Sequence, residues 1–391
     1  MGSESVAFIQ RVEVAFETPV HFTRNLFDPA NPVLARVVRP AAGYSAKLLV
    51  AVEAGLAEHH PGLCERIIAY SNRHELHLVE APLLLKGGEV IKQSWDSVER
   101  VLEAINRGDI DRHCYVLAVG GGAFLDAVGF AAAIAHRGVR LIRVPTTVLS
   151  QNDSGVGVKT AINAFGKKNW LGSFAPPHAV LNDSDFFESL AERDWRAGIA
   201  EAIKIALIRD AAFFAILEKD APKLVARSMP AMRRLVRRCA MGHMAHIREG
   251  GDPFERGAAR PLDHGHWSAH KLEALSGWEI RHGEAVAIGL ALDAIYARRM
   301  GFLAADDCGR ILALLTALDF ELWAPQLEAR DSDGRLQLIV GLEEFRQHLG
   351  GALTITLIEG IGRSFEVHEM DAEMIAASLA ELKGGQLQAA A

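Results

Sequence analysis

Along the first half of the chain, short apolar runs alternate with segments whose apolar residues recur every three or four positions. "KLLVAVE" (47–53) reads as a strand buried on both faces, and a helical stretch follows near 55–60. "ERIIAYS" (65–71) reads as a second strand, and "SWDSVERVLEAINRGDI" (94–110) as an amphipathic helix with Ser94 or Asp96 near its start. Then come "CYVLAVGGG" (114–122), a strand running into glycines, the helix "AFLDAVGFAAAIAHRG" (123–138) and the strand "RLIRVPTTV" (140–148). Strands alternating with helices predict a parallel sheet covered on both faces.

From about Ser184 the pattern changes. "AGIAEAIKIALIRDAAFFAILEKDA", "MPAMRRLVRRCAMGHMAHI" and "GEAVAIGLALDAIYARRM" are long helical patterns with few strand candidates between them. A short hairpin is expected late on, from "RLQLIVGL" and "ALTITLIEGI", and the tail "LKGGQLQAAA" is expected to fray. The division expected is an α/β domain over 1–184 and a mostly helical domain over 185–391, and a chain of 391 residues suits two domains. There is no internal repeat.

Bulk properties remove several classes of function. Net charge is −7 without a basic tract, so a nucleic-acid partner has no electrostatic footprint. The longest apolar run, from Val116, carries three successive glycines and Asp126, which suit a strand, a tight turn and a helix better than a membrane span. Cys64, Cys114, Cys239 and Cys308 are scattered, which argues against a disulfide framework or a thiolate zinc site and fits a reducing cytoplasm. The N-terminus has no basic region followed by an apolar core, so no signal peptide is expected.

The candidate chemistry starts at "AVGGGAFLD", where Gly120, Gly121 and Gly122 follow a strand and open a helix. Backbone N–H groups and the helix dipole can receive a phosphate there, although the pattern is not GxGxxG. "KGGEVIK" (86–92) is a second glycine turn, offering Glu89 and Lys92 to a ribose or adenine, and Glu53 ends the first strand where an acid can accept from ribose hydroxyls. "VPTTVLSQNDSG" adds Thr146, Thr147 and Asp153 past another strand end. In a doubly wound sheet these ends line one crevice.

"VGVKTAINAFGKKNWLGSF" holds Lys159, Lys167, Lys168 and Asn169 in a loop-like, glycine-rich context, and for Lys167 a solvated surface lysine is the preferred reading. In "GIAEAIKIALI", Glu201 and Lys204 interrupt an apolar helix three residues apart, on one face. An intrahelical ion pair is one explanation; a metal at Glu201 is the other. "RPLDHGHWSAHKLEALSGWEIRH" crowds His264, His266, His270 and His282 together. His266 and His270 share a helix face at i, i+4, but no Glu follows the first histidine as in HExxH. Two of these histidines with Glu201 would make three ligands with an open position, the pattern of catalytic zinc.

The ordered series "GGE…GGGxxxD…HRGV…VPTT…DS…KTAIN…GKKN…AE.IK…GH…H…HGEAVAIG" resembles the sugar phosphate cyclase family, the 3-dehydroquinate synthase-like proteins, from about Lys47 to Gly301. The resemblance implies an N-terminal Rossmann-like NAD-binding domain, a helical metal-binding C-terminal domain, and a homodimer with Zn²⁺ or Co²⁺ in the cleft. It implies Glu201, His266 and His282 as metal ligands, which removes the i, i+4 pair as a metal pair. It places NAD against Glu53, Glu89, Lys92, Gly120, Gly121, Gly122, Asp126, Thr146, Thr147, Asp153, Lys168 and Ser189. It sets a sugar phosphate substrate against Lys159, Asn169, Lys204, Arg260, Asp263 and His270, with His270 a candidate for proton transfer. Arg137 resembles the arginine lent to the partner subunit's active site. His264 stands at a position usually apolar or aromatic and receives no role. The implied reaction is redox-neutral: oxidation, phosphate elimination, reduction and aldol closure, with Lys204 and the metal stabilising alkoxide and enolate charge.

Departures bear on the substrate. The lysine that would hold a substrate carboxylate falls on Ala245 or His246, Asp263 replaces a phosphate-contacting asparagine, and a C-terminal lysine-rich loop is replaced by "EARDSDGRLQLIVG". "ARPLDHGHWSAHKLE" is similar to the EboD-like branch, and 2-epi-5-epi-valiolone synthases have the nearest activity. The expectation is a ketose phosphate without the carboxylate, such as sedoheptulose 7-phosphate. The alternatives are 3-dehydroquinate synthase, a metal-dependent alcohol or glycerol dehydrogenase of the same fold, and a non-catalytic ligand-binding descendant.

Overall fold

The computed structural model of the chain describes residues 7–39, 46–250, 252–254, 261–348 and 353–389. Its first half is a parallel sheet. After β1 (Val20–Thr23) and α1 (Val33–Val37), β2 (Lys47–Glu53) runs into α2 (Ala54–His59), α3 (Leu63–Arg73), β3 (His77–Leu78) and β4 (Leu83–Leu85). Then α4 (Asp96–Arg107), β5 (Tyr115–Gly120), α5 (Gly122–Ile134) and β6 (Arg140–Pro145) complete the alternation. An antiparallel hairpin, β7 (Lys159–Ala164) and β8 (Lys167–Phe174), precedes β9 (Ala179–Asp183). The strand order is β1-β9-β6-β5-β2-β3, with β4 also on β2, and every pair in this sheet is parallel. β5 is buried at every position, as a strand covered by helices on both faces must be.

The second half is helical. α6 (Glu192–Arg209), α7 (Ala211–Val225), α8 (Met229–Glu249), α9 (His266–Leu275), α10 (His282–Arg299) and α11 (Ala305–Ala317) are followed by α12 (Gln337–His348), a hairpin of β10 (Ile355–Gly360) and β11 (Arg363–Val367), and α13 (Ala372–Ala389). α10 is buried on all sides from Ala285 to Ala297, so it is the central helix of this half. It meets its neighbours through main chain. A Cβ on Gly283 would lie 2.1 Å from the Ala197 carbonyl oxygen of α6, and one on Gly289 would lie 2.0 Å from that of Gly265, just before α9. No described helix is long and apolar enough to cross a membrane.

Several expected elements are corrected. The segment 65–71 is not a strand but part of α3, whose buried residues Leu63, Ile67, Tyr70 and Ser71 follow helical spacing. "RLQLIVGL" enters α12 instead of a hairpin; Leu338, Leu342 and Phe345 are buried at the same spacing, and the hairpin partner of β10 is β11. The glycine-rich 156–174 stretch is the β7–β8 hairpin, turned by Phe165 (φ 53°) and Gly166 (φ 70°), both left-handed as a tight hairpin turn requires. The expected frayed tail continues α13 as far as Ala389.

Candidate functional site

The sheet order reverses direction between β2 and β5, so their C-terminal ends open a crevice at the switch point. Glu53 ends β2 and Gly120 ends β5, and the Gly121 N–H donates to Glu53 Oε2 at 2.8 Å across that gap. Burial pushes the Glu53 carboxyl up, although backbone donors from Gly121 and Gly88 pull against it. At the N-terminus of α5 the Ser154 hydroxyl is buried without a hydrogen-bond partner. A Cβ on Gly122 would lie 2.6 Å from that hydroxyl. A bare glycine, a free hydroxyl and the first N–H groups of a thirteen-residue helix fit an anionic phosphate. Thr147 Oγ1 donates to Ser150 Oγ at 2.8 Å and the Thr146 N–H to the Gly120 carbonyl at 3.1 Å, which shapes the same strand ends.

A second group of side chains lies between α6, α9 and α10. Glu201 is 0 % exposed, and its Oε1 lies 3.5 Å from His266 Nε2 and 3.4 Å from His282 Nε2. Neither Glu201 oxygen receives a well-formed hydrogen bond. His266 Nδ1 bonds the His264 carbonyl at 3.0 Å and His282 Nδ1 bonds Glu273 Oε2 at 3.1 Å. Both partners accept only, so both Nδ1 atoms carry the hydrogen, and in the neutral rings both Nε2 lone pairs face the Glu201 carboxylate. One carboxylate oxygen and two imidazole nitrogens within 4.8 Å of one another fit a divalent cation.

Lys204 is 2 % exposed, with its ammonium 2.5 Å from Glu201 Oε2 and 3.6 Å from Asp153 Oδ1. Burial opposes its charge, but Glu201, Asp153 and the nearby Asp263 outweigh it and push its pKa up. For Asp153, burial raises the pKa, yet Lys204 prevails and holds it at about 2. Burial likewise raises Glu201, and Lys204 with His266 brings it well below the usual carboxylate range. Asp153 follows β6, and His243 Nδ1 of α8 lies 2.8 Å from its Oδ1. The strand-end crevice and the helical donor group therefore meet at Asp153.

Behind the donors, Asp293 of α10 is 0 % exposed and accepts from Trp267 Nε1 at 2.8 Å and from the Gly265 N–H at 3.0 Å. Gly265 is left-handed, φ 78°, so this carboxylate pins the turn that aims His266. His264 is wholly buried and donates from Nδ1 to the Thr356 carbonyl at 2.9 Å, tying the same turn to β10. Burial pushes the Asp293 carboxyl up to about 7 against its two donors. An unfolded aspartate ionises near ~4. Between those values the folded chain holds the extra proton, so this residue makes stability fall as pH rises and level off above about 7. Denaturant titrations from about pH 4.5 to 8 are expected to show wild type losing ground to Asp293→Asn, on the order of a few kcal/mol. A difference that stays flat with pH would contradict the assignment.

The structure places the remaining candidates unevenly. Lys92 is buried and donates to Asp126 Oδ2 at 2.7 Å and to Asn169 Oδ1, while Glu89 accepts from Asn163 Nδ2 at 2.9 Å. Lys168 reaches from β8 to Glu273 Oε1 at 2.8 Å. The His270 ring lies 5.4 Å from that of His266 and 5.9 Å from that of His282, and the residue is exposed. Lys159 begins β7. Ser189 Oγ bonds His60 Nε2 at 2.7 Å, and Arg137 is exposed in a left-handed turn, φ 63°, after α5. Arg260 falls outside the described residues. Glu273, Asp293, His243 and Ser154 are not among the residues singled out from sequence. For Glu273 a signal existed: it follows His266 by seven and His270 by three positions, on the helix face that carries both histidines.

A sequence model of 3-dehydroquinate synthase N-terminal matches residues 82–197, and one of 3-dehydroquinate synthase C-terminal matches 198–338. A 2-epi-5-epi-valiolone synthase from Streptomyces glaucescens is 34 % identical over 375 residues, 92 % of this chain and 90 % of its own length. A 3-dehydroquinate synthase from Nitrosococcus oceani is 35 % identical over 300 residues, 76 % of this chain and 81 % of its own. The solved structure of the 2-epi-5-epi-valiolone synthase from Streptomyces hygroscopicus subsp. jinggangensis 5008, with NAD⁺ and Zn²⁺ bound, superposes with a TM-score of 0.86 at 28 % identity, covering 96 % of this chain and 99 % of that one.

Proposed function

The chain belongs to the 3-dehydroquinate synthase-like family of sugar phosphate cyclases, and from that premise we propose that it is a carbon–oxygen lyase which eliminates phosphate from a ketose phosphate and closes the product into a cyclitol. The observation that carries this reading is the convergence of Glu201, His266 and His282 beside buried Lys204, joined at Asp153 to the strand-end crevice. NAD⁺ is assigned to that crevice and Zn²⁺ or Co²⁺ to the three donors, in keeping with the fit of the Gly122–Ser154 notch and of a mixed imidazole–carboxylate set. When bound, the nucleotide supplies a reversible hydride acceptor and the cation a Lewis acid.

The chain's own residues do the rest. Lys204, kept charged by its carboxylates, offsets negative charge that develops on substrate oxygens. His270, exposed beside the ligand histidines, holds or passes the proton that follows phosphate departure. Asn169 is anchored through its carbonyl oxygen by Lys92, which leaves its amide N–H free to donate, and Lys159 supplies a cation from the same hairpin. Ala245 or His246, both on α8, takes the place of a carboxylate-holding lysine, and Asp263 adds negative charge near Lys204. Both features disfavour a substrate carboxylate, so sedoheptulose 7-phosphate is the substrate proposed. We further assign a domain boundary near 184–185, a cytoplasmic homodimer, and a place for exposed Arg137 in the partner's site.

The test is phosphate release by protein loaded with NAD⁺ and Zn²⁺ or Co²⁺, offered sedoheptulose 7-phosphate and 3-deoxy-arabino-heptulosonate 7-phosphate in parallel while NADH absorbance is followed. Release from the first alone, without accumulating NADH, is the expected result. Release from the second would make this a divergent 3-dehydroquinate synthase, and steady NADH accumulation would make it a dehydrogenase.

A further inference from the structure

We infer that Glu273 is a positioning residue that couples nucleotide binding in the strand-end crevice to cation binding at Glu201, His266 and His282. The inference rests on the functional reading above. Glu273 is 3 % exposed, and its two oxygens serve different halves of the molecule. Oε1 receives the Lys168 ammonium of β8 at 2.8 Å, and Oε2 receives His282 Nδ1–H at 3.1 Å. A carboxylate this deep is tolerated only while its partners stay in place.

Lys168 is itself held by the nucleotide side. Its neighbour Asn169 accepts from Lys92 at Oδ1 and donates its main-chain N–H to Asn163 Oδ1 at 2.9 Å. Lys92 bonds Asp126 on α5, the helix opened by the glycine turn, and Asn163 bonds Glu89 beside the second glycine turn. The Trp278 ring lies 5.5 Å from the Lys168 ammonium and limits where it can go. Two runs of polar contacts, from α5 to Asn169 and from Lys168 to His282, are thus joined by the peptide link between Lys168 and Asn169. Nucleotide that orders the hairpin also orders Lys168, hence Glu273, hence the His282 ring. The ordering cost is then met once for both ligands, and each binds more tightly in the presence of the other.

Zn²⁺ affinity, measured by chelator competition with and without saturating NAD⁺, tests this in wild type, Glu273→Gln and Lys168→Met. Wild type is expected to bind Zn²⁺ about tenfold more tightly with NAD⁺. Glu273→Gln places an amide where His282 needs an acceptor, and is expected to weaken Zn²⁺ by about 10–100-fold. Lys168→Met, with saturation by NAD⁺ confirmed by direct titration, is expected to lose the gain in Zn²⁺ affinity that NAD⁺ brings in wild type. The same gain in Lys168→Met as in wild type, or unweakened Zn²⁺ in Glu273→Gln, would overturn the coupling while leaving the functional reading intact. Wild type that binds no Zn²⁺ at all would overturn both.

Discussion

Glu201→Gln is expected to leave the folded protein without its cation and to lower phosphate release by about a thousandfold or more. A Lewis acid contributes several kcal/mol to such chemistry, and each ~1.4 kcal/mol is a factor of ten in rate. The substitution preserves shape and keeps an oxygen, so what it removes is charge. Two imidazole nitrogens and a neutral amide hold a divalent ion far more weakly than the same set with an anionic carboxylate. The buried Lys204 loses its nearer carboxylate but retains Asp153 at 3.6 Å, so its charge is not left without a partner. Equilibrium dialysis against Zn²⁺ followed by metal analysis gives the direct readout. A variant that retains one tightly held Zn²⁺ per chain would contradict the ligand assignment whatever its activity.

Lys204→Met carries the second large effect, this time on stability. Glu201 and Asp153 both depend on that ammonium to stay ionised out of water. Removing one partner of a buried ion pair costs about 3–5 kcal/mol, because the charge left behind is uncompensated. Here two carboxylates are left, only His243, His266 and His282 remain near them, and denaturation should shift accordingly. Zn²⁺ at the proposed site beside Glu201 would replace part of the lost charge. The destabilisation is therefore expected to be clearly smaller with saturating Zn²⁺ than with chelator. An equal loss in both conditions would place Lys204 outside the reach of the cation site.

Much of this site is legible in the chain because its parts are bound to strong local signals. The glycine turn after β5 announces itself by three residues that only a close approach or an anion explains, and Glu201 by being an acid inside an apolar helix. The ordered motifs supply what spacing cannot: that His266 and His282 face Glu201 while His270 stands at the rim. Reading fails where the signal is spread across the fold. In α3 and α12 a short apolar window imitates a strand, and only the longer repeat of buried positions shows the helix. Glu273 is hidden because Lys168, the partner that ties it to the hairpin, lies 105 positions away, although His282 is only nine. His264 is a histidine doing the work of packing, and its bond to Thr356 crosses 92 positions.

The glycine contacts of α10 have a consequence for how such a chain can change over generations. Because Gly283 and Gly289 bring main chain against main chain, the separation of the donor-bearing helices is not negotiated by side chains that could trade volume with one another. A single added methyl group there displaces an entire helix and every donor on it. The positions proposed to set the substrate, Ala245 or His246 on α8 and Asp263, are not among these glycine contacts. A lineage built this way would keep its three donors in register while residues around the cleft varied.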